Sequence, residues 1–596
     1  MVGIGCGPSH DRVPADASGS SDAPPGDGGP HTLASLAITP TNPIVQLDLN
    51  QIGSQPFAVM GTYLDGTTED LTAEATWSVA NAAVGAMSGA TLEIPAFAAV
   101  SAEVSKLTAT VGSTTTDAQI TVVAYRQTGE QTDFFFVLPY ADTMHQDKPL
   151  DFSTAIPALD VFFLMDATGS MQNEINNLQL ALTTPTTGVI DSILATVPNT
   201  EFGLGALEDF PVSGGGPLPY GETTATCTGT LPYSPANGDG TPDQPFKLRQ
   251  TITSNASDVQ TAINGLTHPS AAMPPDQLQT IGCGGDLPEA GFEAVYQTAT
   301  GAGLSGPSPT SVPAGAVGFR TAAMPVIVSL SDAVSHGTDE TTSCIVHEST
   351  TTITYGPAQL NYAGSVAAVA HSREQTATAV EGICGRFVGI APVKDCDAEE
   401  YMTYLSTQTG ARVPPGAWDV GTRPTGCGPT QCCTGQNSAG MAPDADGLCP
   451  LVFRVTTGGA GVSSGVTTGI EMLARFAQFD VPTQESGVMT DIYGNALPTG
   501  HSTADFLKSV TPSSYVLPPP PPDVPPPTID ANKIQFDGVT PGTQVTFTID
   551  AYNDFVAQTD QAQIFEATIS VLAGGCNVLD QRTVLILVPP MPIVLQ

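Results

Sequence analysis

The sequence predicts a multidomain chain: a central α/β doubly wound domain inserted in a β-sandwich, with a separate all-β domain ahead of it. Three observations lead there. The chain has 596 residues, several times the length of one domain. Between residues 158 and 479, continuous apolar runs such as VFFLM, MPVIVSL and RFVGIAPV alternate with helical patterns, as parallel strands buried on both faces do. On either side, the pattern becomes short strands separated by turn residues.

The elements follow in order. Residues 1–31 have the composition of a disordered tether. Its Gly-Ile-Gly before Cys6 resembles the end of a bacterial lipoprotein signal, so Cys6 is expected to carry a lipid and the true start codon to lie upstream. Setting Cys6 aside leaves an even number of cysteines. In residues 32–124, LASLAITP, QPFAVMGTYL, ATWSVAN, LTATVG and AQITVVAY read as strands of a sandwich. Asp65-Gly66 marks a tight hairpin turn, and Trp77 is the expected core anchor. The pattern ITP…GTYLDGTTEDLTAEATWSV…TATVG…ITV resembles bacterial immunoglobulin-like domains of surface proteins, which implies a spacer or adhesion module without a catalytic site.

Residues 127–157 hold two strands, TDFFFVLPY and KPLDFSTAIP. From 158 to 479 come strand VFFLMD, a helix over 172–197, strand EFGLGALED, and helix SNASDVQTAINGL with Ser254 or Asn255 as cap. Helix PEAGFEAVYQTAT, strands MPVIVSLSD, RFVGIAPV and LCPLVFRV, and the amphipathic helix VTTGIEMLARFAQF complete the region. Residues 480–596 contain the stiff connector LPPPPPDVPPPTID and strands TQVTFTIDAY, QIFEATISVLA and RTVLILVPP. These are expected to complete a sandwich with the strands before Asp160.

Composition narrows the function. With 58 acidic against 17 basic residues, net charge −41, a nucleic-acid partner is excluded, while cations are attracted. The 11 cysteines point to an exported chain with disulfides. Cys227, Cys283, Cys344, Cys384, Cys396 and Cys576 are expected to staple loops, with their pairing open. Zinc at Cys427, Cys432, Cys433 and Cys449 is the lesser alternative, since no histidine stands at ligand spacing. No apolar run of about 20 residues predicts a membrane span, so membrane contact is expected only through a lipid anchor.

The segment DVFFLMDATGSMQNEI carries the chemistry. Asp166, Thr168 and Ser170 alternate just past a buried strand, so their oxygens can converge, as a hard divalent cation requires. Read alone, Asp166 would serve as a helix cap. The other strand ends, however, bring Asp332, Asp286, Glu289, Glu208 and Asp209 to the same sheet edge, where clustered carboxylates repel one another without a cation.

DATGSM resembles the metal-ion-dependent adhesion site of von Willebrand factor A domains. VFFLMDATGSM, FGLGALEDFPV, GGDLPEAGFEAVYQTA and VIVSLSDAVSH resemble, in order, segments of the integrin β subunit. The flanks TDFFFVLPY…LDFSTAIPALD and VTPGTQVTFTIDAY…FEATISVLAGGC are similar to the halves of its hybrid sandwich, so the resemblance covers residues 127–596. It implies a central metal, Mg²⁺ or Mn²⁺, held by Asp166, Thr168, Ser170 and Glu289 with help from Asp332. It implies a second site, for Ca²⁺, at Asp209, Asp286, the carbonyl of Pro288 and Glu289. The implied partner is a protein presenting an Asp or Glu carboxylate, with the loop 210–247 setting specificity. Gly284 replaces an asparagine of the family, and Asn173 and Glu174 replace a pair of aspartates that form a third site there. The family's cysteine-rich leg repeats do not follow the sandwich.

His336 is expected at the surface or behind the ligands rather than among them. Gly461–Gly465 matches the nucleophile pattern GxSxG, but TTGGA separates it from its strand and no triad follows, so no enzyme is expected. The reading is a surface adhesion protein. Its alternative is a structural surface protein whose cations only stabilise the fold. An integrin-like switch, with the helix at 465–479 shifting against the sandwich, is a third possibility.

Overall fold

The computed structural model describes residues 32–127, 134–142, 144–212, 220–221, 242–269, 278–282, 284–306, 311–347, 351–419, 423–519 and 524–592. Cys6, Cys227, Cys283, most of the loop 210–247 and part of the polyproline connector lie outside the described residues.

The chain divides into two compact units, one built mainly from residues 1–132 and one from residues 133–557 and 564–588. The first is all-β. One sheet pairs Leu33–Thr39, Ala58–Tyr63 and Thr68–Asp70; another pairs Ile44–Asp48, Thr114–Tyr125, Ser101–Val111 and Thr76–Val79. Their inward positions form a core around Val59, Leu107 and Ile120, joined by Leu92 from a third sheet of Gly53–Pro56, Thr91–Ile94 and Ala86–Ser88. Gly66, at φ +83°, turns the hairpin, and Asp65 accepts a hydrogen bond from the Thr67 amide at 3.0 Å. Trp77 is not the centre of this core. It is half-buried at the rim, 6.2 Å from the Phe57 ring, because the short strand Thr76–Val79 lies at a sheet edge.

In the second unit the α/β region contains β1 (Leu159–Asp166), α1 (Gln172–Ala181), α2 (Val189–Thr196), β2 (Thr200–Leu207), β3 (Lys247–Thr253) and α3 (Ala256–Asn264). Then follow α4 (Gly291–Thr300), β4 (Met324–Leu330), α5 (Arg373–Gly382), β5 (Arg386–Pro392), α6 (Glu399–Gln408), β6 (Val452–Val455) and α7 (Val462–Phe476). The sheet order is β3-β2-β1-β4-β5-β6, with β3 antiparallel and the rest parallel. Strand alternation sends Val161, Phe163 and Met165 to one face, against α1, α2, α3 and α7. Phe162 and Leu164 go to the other, against α4, α5 and α6. Both faces are covered, which is why β1 is apolar from Val161 to Met165; Asp160, near its start, is buried against Arg320, whose Nε donates to it at 2.7 Å.

The single helix expected over 172–197 is two. Pro185 has no amide hydrogen to continue α1, and the Asp191 carboxylate accepts from the Thr186 amide at 2.7 Å to shape the break. Asn255, not Ser254, caps α3 by accepting from the Ser257 amide at 3.2 Å.

The strands before β1 and after α7 pair with each other. Phe134–Val137 lies parallel to Asn577–Val588, and Gln146–Ser153 runs antiparallel to Gln544–Ala551 with Leu150 opposite Phe547. The resulting layers are a six-stranded and a three-stranded sheet. Cys384, two residues before β5, is disulfide-bonded to Cys576 at the start of strand Asn577–Val588. The zinc alternative is overturned: Cys427–Cys433 and Cys432–Cys449 are disulfides, so none of the four sulfurs is a free thiolate. Cys344–Cys396 forms a further bridge. Among the described residues, no helix is long and apolar enough to cross a membrane.

Candidate metal centre

The sheet reverses its winding between β1 and β4, and ligands of doubly wound sheets bind outside the carboxyl ends of strands at such a point. Asp166 ends β1 there and is fully buried. Its Oδ1 accepts from the Thr168 amide at 3.0 Å and hydroxyl at 2.6 Å, and its Oδ2 accepts from the Ser331 hydroxyl at 2.7 Å. Ser170 donates to Asp332 Oδ1 at 2.9 Å, so the loops after β1 and β4 meet. Burial, then the Asp332 charge, pushes Asp166 up to about 6, against the pull of its hydrogen bonds.

Glu289 comes from the loop before α4. Its amide donates to Val334 O at 3.0 Å and its carbonyl accepts from the His336 amide at 2.8 Å, a short parallel bridge to the β4 loop. The carboxylate is buried, and Oε2 has no hydrogen-bond partner. Oε1 lies 3.2 Å from where a Cβ on Gly284 would stand, with Thr168 Cβ 3.5 Å from the same point. Gly284 has φ +69°, so the site is closed by a backbone that a larger side chain would strain and crowd. Burial, then Asp166, Asp209, Asp243 and Asp286, holds Glu289 well above the usual carboxylate range.

Asp209 and Asp286 approach each other, and the third member of their cluster is His336. The histidine is not at the surface: it is fully buried, Nε2 lying 3.3 Å from Asp286 Oδ1 and 3.6 Å from Asp209 Oδ2. Its Nδ1 faces the Leu360 carbonyl at 3.1 Å, which only accepts, so Nδ1 carries the hydrogen. Nε2 therefore offers a lone pair toward two carboxylates unless a proton or a cation intervenes. Burial, outweighing the pull of His336, pushes Asp209 up to about 7. Asp209 Oδ1 accepts from the Tyr362 hydroxyl at 2.7 Å, while Oδ2 lacks a hydrogen bond. Pro288 is buried in the same loop as Asp286 and Glu289. The spacing in SDAVSH gave a signal for His336, four residues past Asp332, but no strand period places it; the β4-loop bridge to Glu289 does.

Glu208 does not join these groups. It pairs with Lys247 at 2.7 Å, and burial pushes it up to about 8. Glu174 does approach: buried in the first turn of α1, both its oxygens lack hydrogen-bond partners. Burial first, then Asp332 and Asp166, pushes it up to about 7. Ser463 of GxSxG sits inside the first turn of α7 and donates to Asn177 Oδ1 at 2.9 Å, and His501 pairs with Asp505 in the sandwich at 3.1 Å.

Asp209, Asp286 and His336 bring two carboxylate oxygens and one imidazole nitrogen within 4.8 Å of one another; Asp166, Thr168, Ser170, Glu289 and Asp332 offer side-chain oxygens only. Buried carboxylates with orphaned oxygens suit a hard divalent cation.

No family model matches the chain. Ice-binding protein 1 of Shewanella frigidimarina is 38% identical over 100 residues, spanning 15% of this chain and 11% of that protein. Among solved structures, a von Willebrand factor type A protein from Catenulispora acidiphila aligns at TM-score 0.26 and 9% identity over 86% of this chain and 74% of its own. The open pilus adhesin SpaC of Lactobacillus rhamnosus GG aligns at 0.26 and 11% over 75% and 46%. The ArnB paralog VWA2 of Sulfolobus acidocaldarius aligns at 0.23 and 7% over 87% and 77%. Scores this low leave the fold to the topology itself. On its sheet order and element succession, the chain is a mixed α/β multidomain protein with a doubly wound, mainly parallel six-stranded sheet.

Proposed function

We propose that the chain is a cell-surface adhesion protein that binds an acidic group of a partner protein through a divalent cation. One observation carries the reading: Asp166, Glu289 and Asp332, from three loops far apart in sequence, are buried at one sheet edge, and a Glu289 oxygen has no partner. Asp166, Thr168, Ser170, Glu289 and Asp332 would hold Mg²⁺ or Mn²⁺. Asp209, Asp286 and His336, with Glu289 and the Pro288 carbonyl, would hold a second cation such as Ca²⁺. The bound ion supplies an open, Lewis-acidic position for a carboxylate oxygen. The chain's own residues fix the donors, keep water from the buried oxygens and supply the negative charge that retains the ion. The four disulfides among the described residues fit an oxidising exterior. To this reading belong an integrin β-like insertion of the α/β domain in a hybrid-type sandwich, an immunoglobulin-like spacer, and a lipid on Cys6. It assigns no catalysis.

The test is capture of envelope proteins by the purified chain in Mg²⁺, with Asp166→Ala and Asp332→Ala alongside. The reading requires a partner retained in Mg²⁺, released by chelator and absent from both variants; retention indifferent to chelator and variants removes it. The repelling carboxylates also favour the second reading, a structural protein stabilised by cations. Both readings have cations raising the melting temperature, but only adhesion has a partner lost in Asp332→Ala.

A further inference from the structure

The loop after β5 sends Lys394 to the candidate centre. Its Nζ lies 2.6 Å from Asp332 Oδ2, with the lysine side chain 25% and the aspartate 7% exposed. The other oxygen, Oδ1, already accepts from Ser170 at 2.9 Å. Asp332 is thus occupied on one side by a residue of the centre and on the other by an ammonium. The chain has only 17 basic residues against 58 acidic ones, so a cation here is not background.

Nor is the loop loose. Cys396 is bridged to Cys344, and its carbonyl accepts from the Val334 amide at 2.9 Å, two residues from Asp332. The Val393 amide donates to Val455 O at 2.9 Å on β6. The Lys394 amide donates to Asp397 at 3.2 Å, and Arg454 holds Asp397 in turn. The stem of Lys394 therefore starts from a pinned backbone, on the edge where Asp332 emerges.

We propose that Lys394 is an internal cation that shares Asp332 with the divalent ion and lowers the ion's affinity, keeping its binding reversible. The inference rests on the reading of the centre given above. When ionised, Asp166, Glu289 and Asp332 supply three negative charges, with Glu174 close by, and Lys394 offsets one of them. Without it the centre is more negative and holds the ion harder.

The test is calorimetric titration of Mn²⁺ into the full chain, following the component that Asp166→Ala abolishes. Lys394→Met should bind about tenfold more tightly, the change that one close like charge makes in a coupled equilibrium. Lys394→Gln, which keeps a donor to Asp332 without the charge, should gain likewise, and Lys394→Arg should stay near the parent. Circular dichroism in chelator checks that each variant is folded. Affinity unchanged or weakened in whichever of the two neutral variants folds overturns the role of Lys394 and leaves the centre standing. An Asp166→Ala protein that titrates like the parent brings down the centre itself.

Discussion

At Glu289 a buried carboxylate feels the charges of Asp166, Asp209, Asp243 and Asp286, and Oε2 has no hydrogen-bond partner among the described residues. Unpaired buried charge destabilises a fold, and the usual relief is a proton, a partner or a cation. Glu289→Gln keeps the volume and removes the charge. In chelator at neutral pH the variant should melt above the parent by about 2–4 °C, the shift that about 1 kcal/mol produces in a domain of this size. On adding Mg²⁺, the parent should gain and the variant should not. Scanning calorimetry in both media checks this, and a variant less stable than the parent in chelator would contradict the account of strain at this position. Asp166, Asp209 and Asp332 stood out in the sequence because each sits at or two residues past the end of an apolar strand, where topology fixes the edge it reaches. His336 was not, because its burial comes from Tyr220 and Tyr362 packing against the ring at 4.9 and 4.6 Å, contacts made by loops without period.

Among elements, α7 packs closely on the sheet through two glycines. Ideal Cβ atoms on Gly465 and Gly469 would stand 3.2 Å from Ile390 Cδ1 and 2.8 Å from Val388 Cγ1, and the Phe453 ring fills the groove between. Adding even a methyl group there overpacks the contact, at about 1–3 kcal/mol. Gly469→Ala should therefore lower the urea midpoint with an unchanged slope, since the surface exposed on unfolding is the same. An unmoved midpoint would mean that α7 is free to shift outward. Elements as apolar as β1 and β4 announce themselves, because both faces are buried. The edge strand β3, KLRQTIT, did not: one neighbour and partial exposure allow polar residues throughout. Nor did α5 and α6, REQTATAVEG and EEYMTYLSTQ, whose buried stripes are narrow and interrupted by threonine. The break at Pro185 could have been read from proline alone; the helical period on both sides masked it.

On the scale of the whole molecule, a net charge of −41 is concentrated chemically as well as spread over the surface. Asp166 is pushed to about 6, and Asp209 and Glu174 to about 7, each by burial first. For such acids the folded state holds protons that the unfolded chain has released, so stability falls as pH rises through the window from about 4 to about 7. His336 is also raised, because Asp209 and Asp286 overcome its burial. Its contribution is present below its ordinary value and lost as pH climbs through the folded one, so it acts in the same direction. Surface carboxylates such as Asp395, held down by hydrogen bonds from His347, act oppositely, losing their contribution as pH falls below about 4. The cation-free protein should consequently be most stable at weakly acidic pH. A divalent ion inverts the balance, since it takes the place of the protons only where the carboxylates have shed them. The rise in melting temperature on adding Mg²⁺ or Ca²⁺ should be large at pH 7.5 and small at pH 5, and Asp166→Ala should flatten the difference. Calorimetric melts with and without chelator at both pH values measure it. Equal rises at the two would mean that the ions act at exposed surface charge, and that the buried carboxylates are held by protons alone.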